Sequence, residues 1–302
     1  MNPFSISGIE YELGEKKIEI KDIFEKAERI IERTGIECVY ETAQDAEDLA
    51  LKATSRLLEK SKIEPNALIY VTQSQKYILP SSGVLLHNNL NLNKNCAVFD
   101  INAGCSGFVQ ALILGSNLLS TFKNILIICA DKYRSKLDIK DRSTRAVFSD
   151  GASAVMLTSE PKIKINIIKN QTKGDYYHML FQENNKNGEI GKLHMSGGEL
   201  WNFTREHIVP DINIIINYFK KKEIDCKNIL IHQASKVVVD GIEKELINTP
   251  KLLRNYKNRG NTVSSTIPIL VKDLNIDLNS ENSILSGFGV GLLAYTIGLE
   301  KI

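Results

Sequence analysis

The sequence predicts an α/β protein, a sheet of short strands packed against helices. Segments with the helical period alternate with short runs rich in β-branched and aromatic residues along the whole chain. The chain has 302 residues, of which 43% are hydrophobic, so it is long enough for one large domain or two packed halves with real cores.

The first half contains the clearest elements. Residues 46–61 place their apolar side chains on one helical face and predict an amphipathic helix. Residues 67–74, 97–101 and 124–130 predict buried strands because they are short and β-rich. Residues 105–120 are almost wholly apolar and predict a buried helix.

The second half follows the same pattern. Its predicted elements are a helix over 208–219, a strand over 228–235, a helix over 235–247, a helical stretch after Asn261, and closing strands over 282–288 and 289–299. Small residues lead into a β-rich run at both 150–160 and 289–300, which suggests internal duplication. We therefore expect an N-terminal half over 1–160 and a C-terminal half over 161–302. The polar, Gly-rich stretch 170–200 predicts a loop with at most short strands.

Composition argues against several classes of protein. Lys and Arg total 38 against 36 for Asp and Glu, so no broad basic field favours nucleic-acid binding. The N-terminus has no signal-peptide pattern and no apolar stretch is long enough to cross a bilayer, which predicts a cytoplasmic protein without a membrane partner. The five cysteines form no CxxC pair and no zinc spacing, so we expect reduced thiols and no metal site.

One cysteine has an unusual setting. The stretch FDINAGCSGFVQAL (99–112) places Cys105 between small residues, where a predicted strand gives way to a predicted helix. Unpaired backbone N–H groups and the helix dipole favour a thiolate at such a position. The same amides would hydrogen-bond an oxyanion that forms when the sulfur attacks a carbonyl. The competing interpretation is a small buried core residue.

Two further polar residues are candidates for the same site. His232 directly follows the apolar residues 228–231 of a predicted strand, near the carboxyl end where open α/β sheets place their sites. Asn261 lies in GNTVSST, between a glycine and small hydroxyl residues. Taken alone, His232 is equally well a structural histidine and Asn261 a helix cap.

Together these residues carry a family resemblance. The motifs DINAGCSGF, IHQAS, GNTVSSTIP and GFGVGLLA occur in the order and at roughly the intervals of the β-ketoacyl-acyl-carrier-protein synthase III family of the thiolase superfamily. ERTGI (32–36), LPSSG (79–83) and DRSTRAVFSDGASAVML (141–157) also resemble family segments. The resemblance spans nearly the whole chain and implies a thiolase-like five-layer αβαβα fold with two pseudo-duplicated halves and mixed sheets.

The resemblance also implies a mechanism. Cys105 attacks an acyl thioester, and the backbone amides of Cys105 and Val290 hold the oxyanion. His232 and Asn261 then donate hydrogen bonds to the thioester carbonyl of malonyl-acyl carrier protein. Loss of carbon dioxide gives an enolate, which attacks the acyl group and forms a β-ketoacyl thioester. The thioesters of coenzyme A or acyl carrier protein are substrates, and no metal or redox cofactor is needed.

Binding residues follow by the same resemblance. Arg33 and Arg142 match two arginines that contact the coenzyme A nucleotide at the tunnel mouth. Lys236 and Lys244 are candidates for contact with an acidic carrier protein, although they are equally well solvated lysines. The family implies a homodimer, with Leu79 near its two-fold contact. Because Leu79 replaces a bulkier aromatic residue of some members, we expect room for an acyl group larger than acetyl.

The sequence departs from the family at a few positions. Arg29 stands where a tryptophan often stacks on adenine, which leaves an acyl-carrier-protein donor as an alternative to coenzyme A. Val290 replaces a common glycine.

Two other functions stay open. One is transfer of the acyl group to an alcohol or amine, and the other is a non-catalytic partner subunit. The retained Cys105, His232 and Asn261 favour condensation over both.

Overall fold

The computed structural model describes residues 1–183, 190–246, 249–289 and 292–302. Its strands are β1 (Phe4–Leu13), β2 (Lys16–Glu19), β3 (Cys38–Glu41), β4 (Ala67–Val71), β5 (Ala97–Ile101), β6 (Asn124–Asp131), β7 (Gly151–Thr172), β8 (Leu180–Phe181), β9 (His194–Met195), β10 (Asn228–Ile231), β11 (Ser283–Phe288) and β12 (Leu293–Lys301). Its α-helices are α1 (Ile20–Ile23), α2 (Ala27–Thr34), α3 (Ala46–Ser61), α4 (Ser82–Asn89), α5 (Gly107–Leu118), α6 (Arg142–Arg145), α7 (Gly197–Phe203), α8 (Val209–Lys221), α9 (Lys236–Glu245) and α10 (Thr266–Asp273). A π-helical turn, Thr204–Ile208, joins α7 to α8.

Elements with strong local patterns lie where the sequence predicts them. The helix α3 covers the predicted 46–61, and it begins at a capping box in which the Asp45 amide donates to the Asp48 carboxylate at 3.0 Å. The strand β5 covers the predicted 97–101, but the prediction that it is buried was wrong, because β5 is an edge of the main sheet within the described residues and Phe99 is exposed. The strand predicted over 228–235 ends earlier, at Ile231, and α9 begins four residues after His232. Residues 247, 290 and 291, which other predicted elements include, lie outside the described residues.

The region 170–200 contains more structure than predicted. The strand β7 continues to Thr172, a 3₁₀ segment covers Gly174–Met179, β8 pairs with β9, and α7 begins at Gly197. The prediction of a loop was therefore wrong at both ends of the region. The prediction rested on the polar, Gly-rich composition of the region. Its apolar side chains are few, but they pack against other parts of the chain, and composition does not show such contacts.

The main sheet is mixed. Its described strands pair in the order β10-β11-β12-β7-β6-β4-β5, and β1 also pairs with β7. The pairs β10–β11, β4–β5 and β4–β6 are parallel, and the others are antiparallel. The long strand β7 pairs through residues 151–158 with β6 and through residues 163–172 with β12. It runs without a break past residue 160, and the division into halves at that position stays a prediction.

Alternate residues of the strands face different cores. Ile125 and Ile127 of β6 share a core with α5, α10 and the inner faces of β10–β12, whereas Leu126 and Ile128 pack with α3. On the other side, Ile229 and Ile231 of β10 pack with α8 and α9. The two parts of the main sheet, one around β6 and one around β10–β12, therefore lie on either side of the central helices α5 and α10. Further helices cover the outer face of each part, which gives five layers. This arrangement confirms the predicted five-layer α/β fold.

The layering determines where chemistry is placed. Cys105 lies between β5 and α5, and Asn261 lies shortly before α10. Each of these two residues is therefore close to the start of one central helix. Within the described ranges, no helix combines the length and the apolar composition that crossing a bilayer requires. The cytoplasmic location stays a prediction.

Candidate active site

Cys105 lies in the turn that joins β5 to α5. The helix begins at Gly107 with Ser106 as its N-cap, and the Gly107 amide donates to the Gly104 carbonyl at 2.8 Å. The cysteine therefore precedes the cap directly, at the positive end of the helix dipole. It is 5% exposed and borders the cavity described below. The helix predicted over 105–120 is present as Gly107–Leu118, two residues shorter at each end.

Glycines at the end of β11 allow close approach to this turn. A Cβ atom built on Gly289 would lie 2.7 Å from the Cys105 Cβ and 3.0 Å from its Sγ. A Cβ built on Gly287 would lie 3.0 Å from the Cys105 carbonyl oxygen. A side chain at Gly289 would displace the Cys105 side chain, whereas one at Gly287 would press against the backbone of the same turn.

We therefore expect Gly289→Ala to slow acylation of Cys105 by about tenfold or more, because overpacking of this size costs about 1–3 kcal/mol. The rate of adduct formation, followed by intact-protein mass spectrometry, checks this. Gly174→Ala is the matched control, because no atom lies within 4 Å of the added Cβ. Equal rates for the two variants would contradict the close approach.

His232 follows the last residue of β10. Its amide donates to the Ser286 carbonyl at 2.9 Å, which extends the β10–β11 pairing by one residue and directs the imidazole toward the cavity. The ring packs edge-on against Phe288, with centroids 5.7 Å apart. Its Nδ1 lies 2.8 Å from the Thr266 hydroxyl oxygen, Oγ1. Burial lowers the pKa of His232 to about 3, so the ring is neutral at neutral pH.

Asn261 is held at the same place by its backbone. Its amide donates to the Val147 carbonyl at 2.8 Å, and its carbonyl accepts from the Ser149 amide at 2.9 Å. Its side-chain oxygen accepts from the Val263 amide at 2.9 Å, and its Nδ2 lies 3.3 Å from His232 Nε2. The predicted imidazole and carboxamide are thus neighbours.

A cavity of about 570 Å³ joins these three residues. Cys105, His232 and Asn261 all border it, together with Phe148 and Phe288. The cavity opens past arginines, so one channel connects solvent with a thiol, an imidazole and a carboxamide. The structure therefore brings the three predicted catalytic residues together. Their chemical roles stay predictions.

A buried carboxylate supports the loop that follows Asn261. Asp131 is fully buried and accepts from the Ser264 hydroxyl at 2.6 Å and from the Gln73 amide at 2.8 Å. Burial raises the pKa of Asp131 to about 6. Gln73 also accepts from the Tyr133 hydroxyl at 2.6 Å. These bonds link the loop after Asn261 to Asp131 of β6 and, through Gln73, to Tyr133, which lies in one buried cluster with Cys105.

The channel mouth is basic. Arg33 and Arg142 border it as predicted, and Arg29 lies one helical turn before Arg33 on α2. The Arg142 guanidinium donates to the Glu25 carbonyl at 2.7 Å and lies 5.5 Å from the centroid of Phe24. These cations suit a phosphate group at the entrance.

Other predicted site residues lie elsewhere. The Lys236 ammonium is 2.7 Å from the Asp240 carboxylate, and Lys244 is exposed on α9. Leu79 is 85% exposed and does not border the cavity within this chain. Val290 lies outside the described residues. Within the described residues, no cluster of three or more His, Cys, Asp and Glu side chains has a geometry suited to a metal ion.

The channel wall includes residues that the sequence interpretation missed. Leu180 of β8, Met195 of β9, and Leu200 and Trp201 of α7 border the cavity. All except Trp201 fall in the stretch predicted to be a loop. The apolar spacing from Leu200 to Phe203 was the only local sign of this wall. The channel is therefore mostly apolar between its basic mouth and its polar end.

Comparisons with known proteins identify the family of this chain. A family profile described as 3-oxoacyl-[acyl-carrier-protein (ACP)] synthase III matches residues 99–175, which include Cys105 and Arg142. The β-ketoacyl-[acyl-carrier-protein] synthase III of Clostridium perfringens strain SM101 is 33% identical over 285 residues, covering 88% of this chain and 88% of that protein. The enzyme of the same name from Helicobacter hepaticus is 31% identical and covers 90% of this chain and 85% of its own length.

Solved structures share the fold over nearly the whole chain. A 3-oxoacyl-(acyl-carrier-protein) synthase III determined at 2.1 Å superposes with a TM-score of 0.88, at 26% identity, covering 98% of this chain and 99% of that one. The synthase III of Aquifex aeolicus VF5 gives a TM-score of 0.85 at 25% identity, covering 98% and 99%. The chain therefore belongs to the β-ketoacyl-acyl-carrier-protein synthase III family, as its motifs predicted.

Proposed function

We propose that this protein condenses an acyl group, carried on Cys105, with malonyl-acyl carrier protein to give a β-ketoacyl thioester. The observation that supports this most is the meeting of Cys105, His232 and Asn261 in one channel. Membership of the synthase III family supports the same reaction. A simple acyl transfer to water, an alcohol or an amine has less need of the buried His232–Asn261 pair.

The first half-reaction forms the acyl-enzyme. The Cys105 sulfur attacks the thioester carbonyl carbon, the carbon–sulfur bond of the donor breaks, and the proton of the thiol ends on the departing donor thiol. The backbone N–H groups at the start of α5 lie beside the oxyanion that forms in between. Val290 is proposed to supply a second amide there.

The second half-reaction uses the neutral side chains of His232 and Asn261. The carbon–carbon bond to the malonyl carboxylate breaks, carbon dioxide leaves, and the electron pair remains as an enolate whose oxygen is stabilised by hydrogen bonds from the His232–Asn261 pair. The enolate carbon then bonds to the acyl carbon, and the Cys105 sulfur leaves and takes up a proton. Neutral partners stabilise developing charge without forming a tight ion pair in the ground state.

The channel mouth is proposed to bind the thioester carrier. Arg33, Arg142 and Arg29 would contact the phosphates of coenzyme A or the single phosphate of a phosphopantetheine arm. Lys244 is free of ion pairs among the described residues and would meet an acidic carrier protein, whereas Lys236 is already paired with Asp240.

An intact-mass experiment tests the function. The protein is incubated with acyl-coenzyme A and acyl-carrier donors of increasing chain length, and the acyl-enzyme is then offered malonyl-carrier protein, an alcohol or an amine. We expect an acyl adduct that malonyl-carrier protein discharges. Discharge by the alcohol or amine alone would establish the transferase alternative, and absence of any adduct would favour a non-catalytic subunit. Acceptance of acetyl alone would refute the larger acyl pocket inferred from Leu79.

We also propose a homodimer, formed along β5. This strand is an edge of the main sheet within the described residues, and Phe99 on it is 40% exposed. Ile78 and Leu79, which precede the neighbouring helix α4, are 92% and 85% exposed. An apolar edge of this kind is rarely left open to solvent in a monomer.

Phe99→Glu should convert the dimer to a monomer, because a charge would then be buried without a partner at the contact. Sedimentation or light scattering of the variant and the wild type measures this. Tyr177→Glu, at another exposed aromatic residue, is the control and should leave the dimer intact. A wild-type protein that is monomeric at micromolar concentration would contradict the proposal.

A further inference from the structure

Cys105 belongs to a buried cluster of side chains that extends beyond the channel. The cluster also contains Tyr133, Leu137, Phe148, Leu180, Leu193 and Val263. Phe148 and Leu180 border the channel together with Cys105, whereas Tyr133 is not part of the channel wall that the described residues form. Tyr133 is only 2% exposed, so its ring fills space beside the thiol that a ligand in the channel does not reach.

The Tyr133 side chain is held both at its tip and on its ring. Its hydroxyl donates to Gln73 Oε1 at 2.6 Å. Burial raises the pKa of Tyr133 well above its usual value, so the hydroxyl keeps its hydrogen for this bond. The ring packs on Phe148 with centroids 5.1 Å apart, and the Lys136 ammonium lies 5.1 Å from the Tyr133 centroid. These contacts fix the ring in one position.

The partner of Tyr133 is fixed as well. The Gln73 amide donates to Asp131 Oδ1 at 2.8 Å, and the Gln73 carbonyl accepts a hydrogen bond from the Lys136 ammonium. Gln73 Nε2 donates to Asn102 Oδ1 at 3.0 Å, in the turn between β5 and α5. The carboxamide therefore has its nitrogen on Asn102 and its oxygen on Tyr133, and it holds the tyrosine against the turn that carries the thiol.

The proposed reaction decides where an acyl group must lie. The donor carrier and the malonyl carrier both reach Cys105 through the same channel. During the second half-reaction the malonyl arm fills that channel while the acyl group is still on the sulfur. The acyl chain must then extend out of the channel and into the buried cluster. Its room therefore depends on how far the cluster side chains reach toward Cys105.

We propose that Tyr133 is a specificity-determining residue that limits the acyl group on Cys105 to short chains. The proposal rests on the condensation proposed above and names the substrate class of the same site. A ring bound at its tip and on its face does not retract, and a close-packed core resists added methylene groups. The room expected from Leu79 lies at the proposed dimer contact, whereas Tyr133 is a wall within this chain.

Acylation by donors of increasing length tests this limit. The probes are acetyl, butyryl, hexanoyl and octanoyl thioesters of phosphopantetheine, the arm that both candidate carriers share. We expect octanoyl to acylate wild-type Cys105 about tenfold or more slowly than butyryl, the effect of forcing methylene groups into a packed core. Tyr133→Leu should bring the octanoyl rate to within about threefold of the butyryl rate. A wild type without the limit, or an unchanged length profile in Tyr133→Leu, would overturn the proposal.

Two controls separate the wall from general damage to the core. Tyr133→Phe keeps the ring and loses only the hydroxyl, so it should keep the wild-type length profile. Tyr70→Leu makes the same change at a fully buried tyrosine of β4, which packs with α3 and does not border the channel. It should also keep the wild-type profile. An equal gain for octanoyl in Tyr70→Leu and Tyr133→Leu would contradict a specific wall at Tyr133.

A binding measurement separates this proposal from the proposed function. Cys105→Ala and the double variant Cys105→Ala/Tyr133→Leu form no adduct at position 105, so calorimetry gives the dissociation constants of the same thioesters. The ratio of the octanoyl constant to the butyryl constant should be about tenfold lower in the double variant. An equal ratio in the two variants would overturn the proposal even where condensation is observed. A wild type that never condenses would refute the proposed function and leave the acyl limit to this ratio.

Discussion

Cys105→Ala should abolish the acyl adduct and lower condensation by at least about a thousandfold, because no other group takes over a missing nucleophile. The measurement is intact mass after incubation with an acyl donor, followed by assay of β-ketoacyl product. The added mass should be found on the peptide that contains Cys105.

Cys226→Ala is the matched control for this variant. Cys226 is half-buried, its thiol donates to the Asn228 carbonyl at 3.5 Å, and it does not border the channel. The control should acylate at the wild-type rate. An adduct that persists in Cys105→Ala would place the nucleophile elsewhere and contradict the site.

Asn261→Ala and His232→Ala should leave acylation of Cys105 largely intact but lower discharge by malonyl-carrier protein by about a hundredfold or more. Loss of a preorganised donor to a developing oxyanion has an effect of this size. Rapid-quench measurement of each half-reaction separates the two steps. Slow acylation with normal discharge would refute the assigned roles.

Stability must be followed in the same variants. Asn261→Ala leaves the buried Val263 amide without its acceptor, which costs about 1–3 kcal/mol of unfolding free energy. Thermal unfolding distinguishes such a loss from a catalytic one. Asn261→Asp keeps an acceptor for Val263 but removes the amide donor, so it should be the better-folded variant with the same defect in discharge.

Local patterns sufficed for much of the fold. The helix α3 has an amphipathic face and a capping box, and β5 is short and β-rich, so both were predicted at their observed bounds. The setting of Cys105 was equally local, because small residues between a strand and a helix create the turn. His232 and Asn261 were different. Their pairing depended on the family motifs, since nothing local separates them from a structural histidine and a cap.

The missed features depend on tertiary packing. The approach of Gly289 to Cys105 joins β11 to the α5 turn. Trp201 packs against Gly241 of α9, so α7 becomes a channel wall through a contact that no local periodicity records. Thr266 is one of several hydroxyl residues in a Ser- and Thr-rich run, and its contact with the His232 ring is visible only in the folded structure.

The central claim is that one channel performs a decarboxylative condensation with Cys105, His232 and Asn261. Its most direct measurement mixes isolated acyl-enzyme with malonyl-carrier protein labelled in the free carboxylate and counts the carbon dioxide released. The account predicts one carbon dioxide and one β-ketoacyl product for each acyl group lost from Cys105. Loss of the acyl group without carbon dioxide, or its persistence on Cys105, would contradict it.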